Sequence, residues 1–223
     1  GSLNHFGAAE PSVNFVVAHD GFTLADLCSY SGAGNALNGT LTWPFGPSDG
    51  GNGDNNSLGT GTEAASNRQR ARNYFAMQMF SAGIPMIVYG DEFGRTQNGN
   101  NNPYNIDSVA TWNNYSMVAT DSPHTVSTGS DGKAECGTYT DKFGKFANTE
   151  GKNGNFDFAS FVMNERLNNE SLRQITGVDA PIEWYSTAGV KGWEDSGCKK
   201  AVMINGSGAK NGGTYYMMIN MTG

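Results

Sequence analysis

An α/β fold, with parallel βα units giving way to a β-rich tail, is predicted by three features of the 223-residue sequence. Two continuous apolar runs, at 14–18 and 86–89, have the length and β-branched content of buried strands. Both end in acidic, Gly-flanked loops, His19-Asp20-Gly21 and Gly90-Asp91-Glu92, and helical patterns alternate with them. Continuous rather than alternating apolar strands indicate parallel pairing with both faces covered. After Pro181 the pattern changes to short strands between Gly-rich turns.

Each element has its own signal. Asn14-Phe15-Val16-Val17-Ala18 reads as the first strand, broken at His19-Asp20-Gly21. Thr23 then stands as an N-cap, with Asp26 three residues on as its capping-box partner. Leu24, Leu27, Cys28 and Tyr30 follow at helical spacing. Residues 31–62 form a long Gly/Asn/Ser/Pro loop, a length that is often functional. Its Asp49-Gly50-Gly51-Asn52-Gly53-Asp54 invites a calcium reading. Asp54 and Thr60 stand where an EF-hand loop needs Gly and Glu, so it is a plain turn-rich loop.

Glu63–Ser81 is the strongest helix, with Ala64, Ala71, Tyr74, Phe75, Gln78 and Met79 on or beside one face and Gly83 as its stop. Pro85 opens the second buried run. Residues 119–152 are Ser/Thr/Gly/Asp/Lys-rich and linker-like. A helix over Phe156–Leu172 is expected through Phe158, Phe161, Val162 and Leu167. Ile182–Tyr185, Ala201–Ile204 and Tyr215–Ile219 read as the closing strands.

Composition removes several function classes. Gly contributes 31 residues and Asn 25, while charged residues are 16% and apolar ones 37%. The excess is in turn formers. No apolar run approaches the ~18 residues of a membrane span, so no membrane partner is expected. A net charge of −7 without a Lys/Arg cluster argues against nucleic acid. Abundant aromatics exclude disorder. The composition suits long loops on a rigid scaffold and favours an extracellular setting, with a cytoplasmic one left open. Cys28, Cys136 and Cys198 form no C-x-x-C pair. Cys28 reads as a buried small residue. Cys136 and Cys198 are equally well two thiols or a pair.

His19-Asp20 is the sharpest chemical signal. An imidazole beside a carboxylate at a strand end can bind a hydroxyl-rich ligand, and the negative charge stabilises a developing oxocarbenium ion. The simpler alternative has Asp20 capping the next helix and His19 packed beneath it. A metal-dependent phosphohydrolase would need more His ligands than His5 and His124 supply, so no metal and no cofactor are expected. Asp91-Glu92 has the same placement, and its simpler use is to close the loop by accepting from Arg95 or backbone N–H groups. Trp43, Phe45, Tyr104 and Trp112 lie in the long loops, suited either to stacking on sugar rings or to the loops' own small cores.

The segment Asn14-Phe15-Val16-Val17-Ala18-His19-Asp20-Gly21-Phe22-Thr23-Leu24 resembles the last conserved catalytic segment of the α-amylase superfamily, glycoside hydrolase family 13, in its debranching-enzyme form. Trp43-Pro44-Phe45-Gly46-Pro47-Ser48-Asp49-Gly50-Gly51, Ser81 through Glu92, and Asn100 through Ser108 resemble the isoamylase type in the same order. In Asn55-Asn56-Ser57-Leu58 the family usually shows Trp at the last position.

The resemblance implies that residues 1–175 are the C-terminal part of a (β/α)8 TIM-barrel catalytic domain, with a polar insertion near 119–152. It implies that 176–223 begin an antiparallel β-sandwich domain. It further implies retaining hydrolysis of α-1,6 branch points in glycogen or amylopectin. Asp20 matches the acid that stabilises the transition state, and His19 the residue that hydrogen-bonds the sugar. Phe22 is a substrate-binding candidate, and Asp91, Glu92, Arg95, Trp43 and Tyr104 are candidates for a structural or substrate loop. The family's nucleophile and acid/base belong to earlier strands, so the isolated chain is expected to be inactive. A non-catalytic α-glucan-binding module, a pullulanase and an α-amylase relative are the alternatives.

Overall fold

The computed structural model describes residues 12–30, 57–58, 64–81, 83–97, 99–104, 113, 115–118, 153–173, 183–190, 200–205 and 213–220. The chain divides into two compact units that interleave in sequence. Unit 1 comprises 1–14, 77–85 and 162–223, and unit 2 comprises 15–76 and 86–161. The described elements confirm a mixed α/β chain.

In unit 1, strands β1 (Val13–Asn14) and β2 (Ile84–Pro85) pair in parallel, Val13 opposite Ile84 and Asn14 opposite Pro85. Parallel pairing is as expected, but both strands lie towards the N-terminal side of the apolar runs. The second run is not the buried strand expected: Met86 and Tyr89 are exposed, Ile87 and Val88 are half-buried, and the hydrogen-bonded ladder ends at Pro85, before the run begins. Of the first run, Val17 is buried while Phe15 is exposed. Gly83 introduces β2 with φ of 108°, and a Cβ there would stand 2.6 Å from the Ser12 hydroxyl. Only glycine fits both constraints.

Helix α2 (Ala64–Phe80) falls within a residue of its expected bounds, as its Ala, Arg, Gln and Met content favours. Its buried positions are Asn67, Ala71, Phe75, Gln78 and Met79. Asn67 is the unexpected member, and its side-chain oxygen accepts from Arg70 at 3.2 Å. At the helix end, the Gln78 amide donates to the Asn14 carbonyl at 3.2 Å.

Helix α3 (Gly154–Asn168) begins earlier than expected because Asn153 caps it. The Asn153 side-chain oxygen accepts from the backbone N–H of Asn155 at 2.9 Å and of Phe156 at 3.2 Å. The buried stripe is Asn155, Ala159, Val162 and Arg166, while Phe161 and Leu167, expected to face inward, are exposed. A 3-10 turn at Glu170–Leu172 follows.

Unit 1 also holds an antiparallel sheet of order β3-β4-β5, formed by Glu183–Tyr185, Lys200–Asn205 and Tyr215–Asn220. Tyr185 pairs with Val202, and Val202 with Met218. Along β5, exposed Tyr216, Met218 and Asn220 alternate with half-buried Tyr215, Met217 and Ile219. These strands match the closing pattern read from the sequence within one or two residues. Residues 31–56, 119–152, Trp112, Cys136 and Cys198 lie outside the described residues.

Candidate active-site loop

The site is built in unit 2, where the segment from His19 to helix α1 (Leu24–Ser29) meets the segment 88–100. Thr23 has extended backbone and its hydroxyl accepts from the Asp26 N–H at 3.2 Å, so it caps α1 as the spacing predicts. Asp20 therefore does not cap this helix, and His19 does not pack beneath it. Both side chains project into solvent, 89% and 72% exposed, with His19 Nε2 3.4 Å from Asp20 Oδ2. An exposed carboxylate and imidazole side by side can hydrogen-bond hydroxyls and present negative charge to a bound ligand.

A buried polar frame links α1 to the segment 88–97. The Asp26 carboxylate accepts from the Thr96 hydroxyl and, at 2.8 Å, from the Gln97 N–H. Burial raises its pKa, while hydrogen bonds from Thr96, Gln97, Gly99 and Thr23 oppose that rise. The Asp91 carboxylate accepts from the N–H of Leu24 at 2.9 Å and of Val88 at 3.2 Å. It thus ties the first turn of α1 to the end of the second apolar run. Burial pushes the Asp91 pKa up to about 7, against those two N–H bonds and the nearby Arg95. Arg95 is itself buried and within electrostatic reach of both Asp26 and Asp91. Glu92 accepts from the Gly90 N–H at 2.9 Å. Both acids of the doublet thus serve backbone N–H groups.

The Gln97 side chain donates to the Gly21 carbonyl and to the Asn100 carbonyl, both at 2.6 Å. From α3, Asn155 donates to the carbonyls of Asp91 and Glu92, each at 3.2 Å, and Asn153 donates to the Phe93 carbonyl at 2.8 Å. Asp26, Gln97, Asn153 and Asn155 are thus the framework residues that sequence reasoning passed over as site components.

The other candidates divide. Phe22, a substrate-binding candidate, is 6% exposed and is buried like Leu24, Ala25 and Cys28. Cys28 is buried and unpaired, as expected, and burial pushes its thiol up to about 12. Tyr104 is 86% exposed. Tyr89 and Tyr115, distant in sequence, meet edge to face with ring centroids 6.1 Å apart. Trp43 lies outside the described residues. Among the described residues, no group of three His, Cys, Asp or Glu is placed to hold a metal ion. Among them also, no helix is long and apolar enough to cross a membrane.

No family model matches the chain. Curated relatives match about half of it. An isoamylase of Flavobacterium sp is 51% identical over 113 residues, which cover 51% of this chain and 14% of that protein. A glycogen operon protein GlgX homolog of Mycobacterium tuberculosis is 44% identical over 115 residues, 48% of this chain and 15% of that protein. Chloroplastic isoamylase 1 of Arabidopsis thaliana is 44% identical over 115 residues, 47% of this chain and 14% of that protein. The matched part therefore spans about one seventh of each relative's length.

Proposed function

From a chain homologous over half its length to isoamylases and glycogen operon GlgX proteins, we propose that it is a segment of an isoamylase-type glycoside hydrolase acting on branched α-glucan. In this reading residues 1–175 supply the C-terminal part of a (β/α)8 barrel, and 176–223 open a β-sandwich domain. The reaction is hydrolysis of α-1,6 branch points in glycogen or amylopectin with retention at the anomeric carbon. It calls for no cofactor from this segment.

The observation that carries the reading is the exposed His19-Asp20 pair at the end of the first apolar run. As the glucosidic bond breaks, the anomeric carbon takes on oxocarbenium character. The Asp20 carboxylate supplies negative charge to that centre, and His19 hydrogen-bonds the same sugar. A retaining mechanism also needs a nucleophile and an acid/base about 5–5.5 Å apart, which this reading assigns to earlier barrel strands. The chain alone is then inactive.

Debranching of amylopectin by the whole protein that contains this chain tests the reading. Linear chains are expected products, and Asp20→Asn should lower turnover by about 10²–10³-fold or more without loss of fold. Wild-type rates in that variant would sink the role of Asp20. Retention of starch without release of reducing ends would instead mark a glucan-binding module.

A further inference from the structure

We infer that Gln97 is a positioning residue for Asp20, holding the turn that carries the carboxylate without itself touching the sugar. Gly21 follows Asp20 directly and has φ of 128°, a conformation that only glycine adopts without strain, and the backbone bends through residues 19–21. The carbonyl of that glycine is bonded by the Gln97 amide at 2.6 Å. The same amide nitrogen directs its second hydrogen to the Asn100 carbonyl, also at 2.6 Å.

Gln97 is itself fixed. It is 3% exposed, and its backbone N–H is bonded to the Asp26 carboxylate of α1 at 2.8 Å. Helix α1 begins three residues after Gly21, and Asp91 holds its Leu24 N–H. The turn is therefore fastened on both sides of residues 21–24, while the side chains before it stand free in solvent. A buried amide that uses both of its hydrogens on carbonyls has a defined geometry and no slack. Displacement of a reacting group by about 1 Å can cost about 10²-fold in rate.

This inference rests on the assignment of Asp20 given above, and its test separates the two. In the whole protein, Gln97→Met keeps the side-chain length and removes both hydrogen bonds. It should lower kcat on amylopectin by about 10–100-fold with KM little changed. In an Asp20→Asn background the same substitution should have no further effect on kcat, because no carboxylate remains to be positioned. Amide hydrogen exchange across residues 19–23 should quicken, with that of α3 unchanged.

Equal losses of kcat in both backgrounds, or wild-type kcat in Gln97→Met, would overturn the positioning role while leaving Asp20 its own. Wild-type turnover in Asp20→Asn alone would overturn the assignment of Asp20, and the positioning role with it. Where Gln97→Met does not yield folded protein, Gln97→Asn withdraws the amide by one methylene and is expected to give the same pattern.

Discussion

At the scale of single residues, Asp91 has the most consequential chemistry. Its carboxyl is buried, accepts two backbone N–H groups, and has its pKa raised to about 7, chiefly by desolvation. The folded carboxyl therefore holds its proton more tightly than the unfolded one, at about 3.8. Stability from this group is fully present below about pH 3.8 and is lost as pH rises through about 7. The whole protein should gain stability from Asp91 as pH falls from 7.5 towards 4.5. Asp91→Asn should flatten that part of the curve, though not abolish it, since Asp26 is shifted in the same direction. Thermal midpoints of both proteins across this range check the prediction, and parallel curves would refute it. The proximity of His19 and Asp20 was legible because they are sequence neighbours. Gln97 was not, because its bond to Gly21 spans 76 residues and involves a backbone carbonyl, which leaves no mark in the local pattern.

At the scale of elements, the end of α2 depends on one side chain from α3. Helix C-termini leave carbonyls without intrahelical partners. The Arg166 guanidinium donates to the carbonyls of Met79 at 2.5 Å, Ser81 at 2.9 Å and Gly83 at 2.5 Å. It thereby holds the helix end and the glycine turn into β2 together. Arg166→Met should destabilise the whole protein by about 2–4 kcal/mol, because buried carbonyls lose charge-assisted partners. Arg166→Lys should recover only part of this, since one ammonium does not reproduce the spread of a planar guanidinium. Denaturant unfolding of the three proteins measures both effects. On α3 Arg166 is buried on these three backbone acceptors, while Phe161 and Leu167, expected to face inward, are exposed. Apolar periodicity carries no information about backbone acceptors that can bury an arginine. By contrast, α2 and the three antiparallel strands follow local rules of propensity, alternation and turn composition, and their bounds were legible.

At the scale of the whole molecule, the described parallel sheet is the weakest part of the chain taken alone. It consists of two strands of two residues each. Parallel sheets normally have both faces covered, and independent stability needs about three or more strands. Here Val13 and Ile84, paired across the sheet, are both exposed, as are Phe15 and Met86 just beyond them. Exposed apolar side chains of this kind invite association with other chains. In the barrel reading, neighbouring strands and helices from the rest of the protein cover them. The 223-residue chain expressed by itself is therefore expected to aggregate or to bind hydrophobic dyes, with no cooperative thermal transition. Calorimetry of the isolated chain, with its oligomeric state measured alongside, is the direct check. A single sharp transition from a monomer would mean that these residues close their own core, and that the exposed pair in β1 and β2 needs no further strands.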